Sequence, residues 1–439
     1  MASPMADLSG ALAWLESHIN LEAIEAGRHL APTLDRIAGL CRLMGDPQHS
    51  FPVIHITGTN GKGSVARIVT ALMRSKGLTV GTYTSPDLER INERIAWNGQ
   101  AIDDAGLTEV LGALADLETL TPQVASRFEL LTAAAFRYFA DVAVDVGVIE
   151  VGLGGRWDAT NVVSAQVAVV TNVSMDHQAI LGPSLRDIAA EKAGIIKTGA
   201  TLILGETAPD LAAVFKSTAQ GAGEVEVWER GADFDCASST LAHGGRLVHL
   251  RTPKAEYPGT FLAMHGAHQG HNAACAVAAA EAFFAAPVEP EVVAEALGTV
   301  SNPGRMEVVG RAPLVVLDGA HNPAGAAAAS ATLAEEFVVE GRRIAVVGFL
   351  QGRDPLEMLR ALAGRSGFAT VLACPPPSPR AMAPIDVIAA AAQLGLPAEA
   401  CDSVETALKR AGEMAGADDM VLVTGSLYLV GRARHILMG

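Results

Sequence analysis

The run Val53-Ile54-His55-Ile56, then Gly58-Thr59-Asn60-Gly61-Lys62-Gly63-Ser64, then Val65, Ile68, Val69, Leu72 and Met73 on the way to Lys76, decides the fold. A short apolar run stopping at a glycine-rich turn reads as a buried strand, and apolar positions three and four apart after it read as a helix. Three glycines let the backbone curl so that consecutive N–H groups face one anion, and the helix N-terminus adds the positive end of its dipole. Lys62 can neutralise phosphate oxygens, and Ser64 stands where a hydroxyl helps to hold a metal bound to them. The spacing departs from G-x-x-x-x-G-K-[ST], because Gly63 separates lysine from serine. The plainer alternative is a tight turn with an exposed lysine; the strand and helix on either side favour a loop for the phosphates of ATP.

Outward from this unit the pattern repeats. Strands are expected at Thr79 to Thr82, Val144 to Val151, Val167 to Thr171 and Thr201 to Leu204, with Ala-rich helical stretches such as Leu130 to Ala140 and Leu185 to Lys197 between them. Such alternation implies a mostly parallel sheet covered on both faces. Between about Val225 and Pro258 short β-like pieces with Gly, Ser and Asp turns suggest a small antiparallel excursion before a helix near His271. Asn302-Pro303-Gly304 then breaks the chain. A second series follows, with strands at Leu314 to Leu317, Ile344 to Val347, Ala369 to Ala373 and Met420 to Val423. The expected architecture is α/β: an N-terminal phosphate-loop domain over residues 1–301 and a smaller, Rossmann-like α/β domain over 302–439. Cys374-Pro375-Pro376-Pro377-Ser378-Pro379 reads as a surface loop, since strand and helix patterns continue on both sides.

Composition narrows the function. The 439 residues are 50% hydrophobic and 18% charged, ample for buried cores. With 48 Asp and Glu against 32 Lys and Arg, the formal net charge of -16 repels polyanions, so nucleic acid is not expected as a partner. Five scattered cysteines with no CxxC pair fit a reduced, cytoplasmic setting. The N-terminal MASPMADLSGALAWLESHIN carries acids among its apolar residues and reads as an amphipathic helix, not a signal peptide. Apolar runs such as Val142 to Val151 are too short to span a bilayer.

A phosphate loop does not say where the phosphoryl group goes. Transfer to an anionic acceptor needs Mg2+, so oxygen and imidazole ligands are sought at the ends of the parallel strands. Ser85, Glu150 and His177 each follow or end a strand. A turn serine, a helix-facing acid and a satisfied loop histidine are plain alternatives, but an acid in an apolar, Gly-flanked strand is costly unless it binds a cation. Lys192 reads on composition and spacing as an ordinary solvated helix lysine.

Several motifs together resemble one family. These are the phosphate loop; Thr84-Ser85-Pro86 with Glu93-Arg94-Ile95; Glu150-Val151-Gly152-Leu153-Gly154-Gly155-Arg156 with Asp158-Ala159-Thr160-Asn161; Asp176-His177; Glu191-Lys192-Ala193-Gly194; Pro303-Gly304-Arg305; Asp318-Gly319-Ala320-His321-Asn322-Pro323; and Thr424-Gly425-Ser426-Leu427-Tyr428. In this order they resemble the bifunctional folylpolyglutamate synthase/dihydrofolate synthase family of the Mur ligase superfamily, over about residues 20–435.

The resemblance implies an ATP-dependent ligase adding L-glutamate to dihydropteroate, to a reduced folate, or to both, through an acyl phosphate. It implies that Gly58, Thr59, Asn60, Gly61, Lys62, Gly63 and Ser64 hold the ATP phosphates, with Asn272 near the adenine and Arg305 and Asp318 reaching ATP from the C-terminal side. Two Mg2+ sites are implied at Ser64, Ser85, Glu150 and His177, with Lys192 carbamylated beside them. Lys62, Glu150, His177 and Lys192 would form the catalytic set. Ser126, Phe128, Glu129, Trp157 and Asp158 are expected around the pterin, and His321 and Ser426 around the incoming glutamate. Asp87 departs from the family, which usually has histidine after Ser-Pro, and Gln178 to Ile180 depart from its commoner polar or aromatic residues. Phe128 and Trp157 as plain core residues remain an alternative. A crevice site of this kind needs no partner subunit, so a monomer is expected.

Competing readings are a single-function folylpolyglutamate synthase, another Mur-type amino-acid ligase, and, from a different class, a phosphate-loop phosphotransferase or NTPase. The stretch before the first strand is short for a separate UDP-binding domain, which disfavours a ligase of nucleotide-linked sugars. A non-enzymatic nucleotide-binding scaffold would not explain an acid, a histidine and a lysine at separate strand ends.

Overall fold

The computed structural model describes residues 7–20, 33–121 and 124–439 of the chain. The first sheet contains β1 (Val53–Thr57), β2 (Val80–Tyr83), β3 (Ile95–Trp97), β4 (Gln100–Ala101), β5 (Val146–Glu150), β6 (Val167–Val170), β7 (Thr201–Leu204) and β8 (Glu226–Glu229). Their order is β4-β3-β2-β5-β1-β6-β7-β8. The pairs from β2 through β5, β1, β6 and β7 to β8 are parallel, and at the other edge β3 pairs antiparallel with both β2 and β4. All five residues of β1 are buried, as befits a central strand covered on both faces. The helices Lys62–Ser75 and His268–Phe284 cover one face through Val65, Ile68, Val69 and the alanine-rich side of the second helix. The helix Arg127–Asp141 covers the other through Leu130, Ala134 and Phe136.

Three antiparallel strands follow, β9 (Asp235–Ala242), β10 (Gly245–Arg251) and β11 (Glu256–Leu262). The antiparallel excursion therefore starts later than the composition suggests. Its first piece, β8, pairs in parallel with β7 and extends the large sheet, where Trp228 is buried in the core.

The second sheet holds β12 (Glu307–Arg311), β13 (Leu314–Asp318), β14 (Arg343–Val347), β15 (Thr370–Ala373), β16 (Ala398–Ala400) and β17 (Met420–Thr424), in the order β12-β13-β17-β14-β15-β16. The four expected strands form its centre. The edges β12 and β16 escape the sequence reading because they are only partly buried and lack a continuous apolar run. The helix at the N-terminus covers Leu8–Glu16 under an Asp7 cap; residues 1–6 of the expected amphipathic stretch lie outside the described residues. Among the described residues no helix is long and apolar enough to cross a membrane.

The topology sets the site. Ile56 pairs with Glu150 and Thr57 with Val170, so β1, β5 and β6 end level with one another. The segments leaving their carboxyl ends carry the phosphate loop, Glu150 and the Asp176-His177 turn, facing the second domain as the crevice rule for open α/β sheets requires.

Candidate active site

The phosphate loop is held by backbone geometry and by its neighbours. Gly61 caps the helix Lys62–Ser75 at φ +85°, and a Cβ there would stand 2.5 Å from Asn272 Oδ1, so no other residue fits this turn without displacement. Asn172 Nδ2 and Thr171 Oγ1 donate to the Asn60 carbonyl at 2.9 and 2.6 Å, and the Asn60 N–H donates to Asn172 Oδ1 at 3.0 Å. The Lys62 ammonium donates to the carbonyl oxygens of Gly58 and Thr59, at 3.2 and 3.4 Å.

Lys192 is the largest surprise of this wall. It is buried rather than solvated, and its Nζ donates to the Gly58 carbonyl at 2.8 Å. Burial, then the neighbouring Lys62 charge, brings its pKa down to about 7. The tight turn of Gly194 against Arg156 tucks the end of its helix under the loop, a long-range packing fact that no local pattern carries.

Glu150 ends β5 at 4% exposure and accepts the Ser85 N–H at 3.3 Å. A Cβ on Gly63 would lie 3.5 Å from its Oε2, so the carboxylate faces the phosphate loop. Burial pushes its pKa up, against the pull of Lys62, the Ser85 N–H and Arg305. His177 follows Asp176 at φ +50°, and burial takes its pKa down to about 4. Burial opposes the charge on Asp176, but His177, Arg353 and His321 together hold it well below the ordinary carboxylate range.

The facing wall comes from the second domain. Asp318, at the end of β13, accepts the N–H groups of Met306 and Ala320 at 3.0 Å each; burial raises its pKa and Arg305 counters. His321 Nδ1 lies 2.9 Å from the Gly319 carbonyl, which can only accept, so Nδ1 carries the proton and Nε2 is left 3.9 Å from Asp176 Oδ2. Two residues given no role in the sequence reading tie the walls together. Asn322 caps the helix Pro323–Glu336 with Oδ1 and donates from Nδ2 to Asn60 Oδ1 at 3.0 Å and Asp176 Oδ2 at 3.2 Å. Arg353, in the loop after β14, pairs with Asp176. Asn322 lies inside a motif the sequence displays; Arg353 has no sequence signal of its own, since only the fold brings it to Asp176.

These groups surround one cavity of about 410 Å³. Its lining unites the phosphate loop, Ser85, Glu150, His177 and Lys192 with Asn272, Arg305, Asp318 and His321. The other expected residues lie elsewhere. Ser126 and Glu129 form the capping box of the helix Arg127–Asp141, where Glu129 also pairs with Arg36 at 3.0 Å. Phe128 packs near Tyr83, and it and Asp158 flank Gly152 of the cavity wall: a Cβ there would meet Phe128 Cζ at 2.5 Å and Asp158 Oδ2 at 3.2 Å. Asp158 accepts the Leu153 N–H and the Thr160 hydroxyl, at 2.9 and 2.5 Å. With that proton committed, Thr160 Oγ1 accepts from His55 Nε2 at 2.8 Å. Trp157 is half exposed beside this chain. Ser426 does not line the cavity; it caps the helix Leu427–Met438 by accepting the Leu429 N–H at 3.1 Å, and Leu427 takes the place at the wall.

Comparison with known proteins agrees with this geometry. Residues 56–280 match the Mur ligase middle domain, and residues 304–427 match the Mur ligase glutamate ligase domain. The chain is 36% identical to a dihydrofolate synthase/folylpolyglutamate synthase of Mycobacterium tuberculosis, over 92% of this chain and 90% of that protein. The folylpolyglutamate synthase of Mycobacterium tuberculosis complexed with ADP superimposes with a TM-score of 0.92 at 35% identity, covering 99% of both chains. Escherichia coli FolC in complex with DHPP and ADP does so with a TM-score of 0.87 at 28% identity, over 100% of this chain and 99% of that one. The chain belongs to the dihydrofolate synthase/folylpolyglutamate synthase family of Mur-type ATP-dependent ligases.

Proposed function

We propose that this chain joins L-glutamate to dihydropteroate, to reduced folates, or to both, by way of an acyl phosphate. The observation that carries the reading is the single cleft in which the phosphate loop and Glu150 of one domain face Arg305, Asp318 and His321 of the other. The ADP and DHPP bound by the relatives support ATP and a pterin as its ligands. Residues 1–301 would bind ATP and the pterin and 302–439 would complete the ligase site. The acting unit in this reading is a monomer, since a crevice at the strand ends of an α/β sheet needs no partner subunit. Five free cysteines accord with the cytoplasm.

An amine and a carboxylate in water form a salt, not an amide, so the carboxylate must first be activated. Lys62 and Arg305 approach the γ-phosphoryl group from opposite walls and neutralise its oxygens as it passes to the acceptor carboxylate. Asn60, Asn322, Asp176 and Arg353 close the floor between the domains, which keeps water from the acyl phosphate. His321, with its Nε2 lone pair towards the cleft, is placed to accept a hydrogen bond from the glutamate ammonium; Ser426 would act only through the helix it caps. Phe128, Trp157 and Asp158 offer a plane and an acid to the flat, amino-bearing pterin beside Gly152.

Among the described residues no three His, Cys, Asp or Glu side chains converge as a ready-made metal cage. Mg2+ does not need one, because it keeps waters and binds through one or two carboxylates plus substrate phosphates. The Glu150 carboxylate, facing the loop with the Ser64 and Ser85 hydroxyls on the same cavity, fits it, and His177 would complete the set. Bound there, Mg2+ supplies positive charge to the phosphate oxygens. Lys192, with its pKa near 7, holds free amine at neutral pH. That is the form that adds CO2 to give a carbamate and a proton, turning the residue into an oxygen donor.

Purified protein with ATP, Mg2+ and L-glutamate, offered dihydropteroate or a reduced folate in turn, should yield a product heavier by one glutamyl unit. ADP release that needs neither acceptor nor glutamate would overturn the reading in favour of an NTPase.

A further inference from the structure

The loop after β2 joins the cavity to the second domain. Ser85 and Pro86 line the cavity, and the Ser85 N–H rests on Glu150. Beyond them the loop is stiff: the Glu93 carboxylate gathers the N–H groups of Leu88, Glu89 and Arg90, at 2.9, 3.2 and 3.0 Å. Asp87, the departure from the family, pairs at 2.5 Å with buried Arg94. A loop so braced moves as one piece.

The helix Leu427–Met438 grips this piece from the other domain. Leu427, Gly431 and Arg434 recur at i, i+4 and i+7, so they share one face. A Cβ on Gly431 would lie 1.8 Å from the Leu88 carbonyl oxygen, so only glycine admits the contact without moving the loop or the helix. Leu88 packs into the core beneath Val430. Arg434 pairs with Glu89 and, at 3.0 Å, with Glu307 of β12. At its N-terminal end the same helix lays Leu427 against Gly319, on which Arg305 also closes.

We propose that the C-terminal helix is a positioning strut: Gly431 and Arg434 hold the Ser85–Arg94 loop so that Ser85 stays on Glu150 while Leu427 fixes the wall that carries Arg305. The strut makes the charge-bearing groups of the two domains register with each other. This inference rests on the proposed ligase reaction for its kinetic consequence, but not for its structural one.

The test uses the full chain with ADP bound, measuring amide exchange of the 85–94 segment against the helix 62–75 as an internal reference. Gly431→Ala and Arg434→Gln should speed exchange in 85–94 by about tenfold or more and leave the reference unchanged. In turnover, kcat should fall at least about tenfold while the KM for ATP stays within about threefold, the mark of misplacement rather than lost binding. Arg434→Lys should recover most of both, since an ammonium still bridges the two carboxylates. If Gly431→Ala does not fold, the two Arg434 variants decide. Exchange in 85–94 unchanged, or a lysine variant no better than glutamine, overturns the strut. A wild-type chain inactive on every folate acceptor would instead overturn the proposed reaction, and exchange would still decide the strut.

Discussion

The wall of the cleft built by the first domain is made largely of main chain: a five-residue strand, a glycine turn and a helix N-terminus, all contiguous from Val53 to Ser75. The facing wall has no such loop. Arg305, Asp318, His321 and Arg353 come from separate segments, and His321, Asn322 and Arg353 reach across to Asp176 and Asn60. The first wall has its turn set by contiguous main chain and braced mostly from its own domain, by Thr171, Asn172 and Lys192. The second works only while the domains stay in register. A site divided in this way can take up its nucleotide on one half and complete its chemistry with the other.

Lys62→Ala strikes the main-chain wall where it concentrates charge, and should cut ligation by about 10²–10³-fold, the usual cost of removing one such stabilising group. Initial rates measure it; a loss of less than tenfold would show that the loop binds but does not catalyse. Asp176→Asn strikes the other wall through its partner Arg353. Without the carboxylate that holds Arg353, kcat/KM should fall by about 10–100-fold, as for a lost charge-assisted hydrogen bond. ADP affinity measured by calorimetry should change far less than turnover. Equal losses in both would erase the distinction between the walls.

Lys192 gives a pH signature. Its folded-state pKa lies near 7, below the ordinary 10.5, so between these values the unfolded chain binds the extra proton and stability rises with pH. In CO2-free buffer, denaturant unfolding should show a rise in that window that Lys192→Met lacks. Identical slopes would mean that the lysine is not buried in solution. The smallest effect is expected from Ser126→Ala: loss of the cap should cost about 1 kcal/mol. The KM of the pterin acceptor should stay within about twofold if, as its geometry indicates, Ser126 serves the helix.

What the sequence shows of this molecule follows the same division. The first domain's strand centres, the phosphate loop and Glu150 are legible because each is a local pattern with a local cause. The edge strands β12 and β16 are not, being partly exposed and weakly apolar. Lys192 looks like a solvated lysine because it is buried against the Gly58 carbonyl, a partner far from it in the chain. Ser126, Glu129 and Ser426 carry motif positions that the structure spends on helix caps. Arg353 becomes visible only when the second domain brings it to Asp176. Asp87 is explained by Arg94, a partner seven residues on that buries its charge there.

In the proposed reaction the cleft hands the γ-phosphoryl group of ATP to a carboxylate. An acceptor labelled with 18O in its carboxylate, ligated to L-glutamate by the full chain, tests it most directly. One labelled oxygen should appear in the inorganic phosphate for each amide formed; unlabelled phosphate accompanying ligated product would rule the acyl phosphate out.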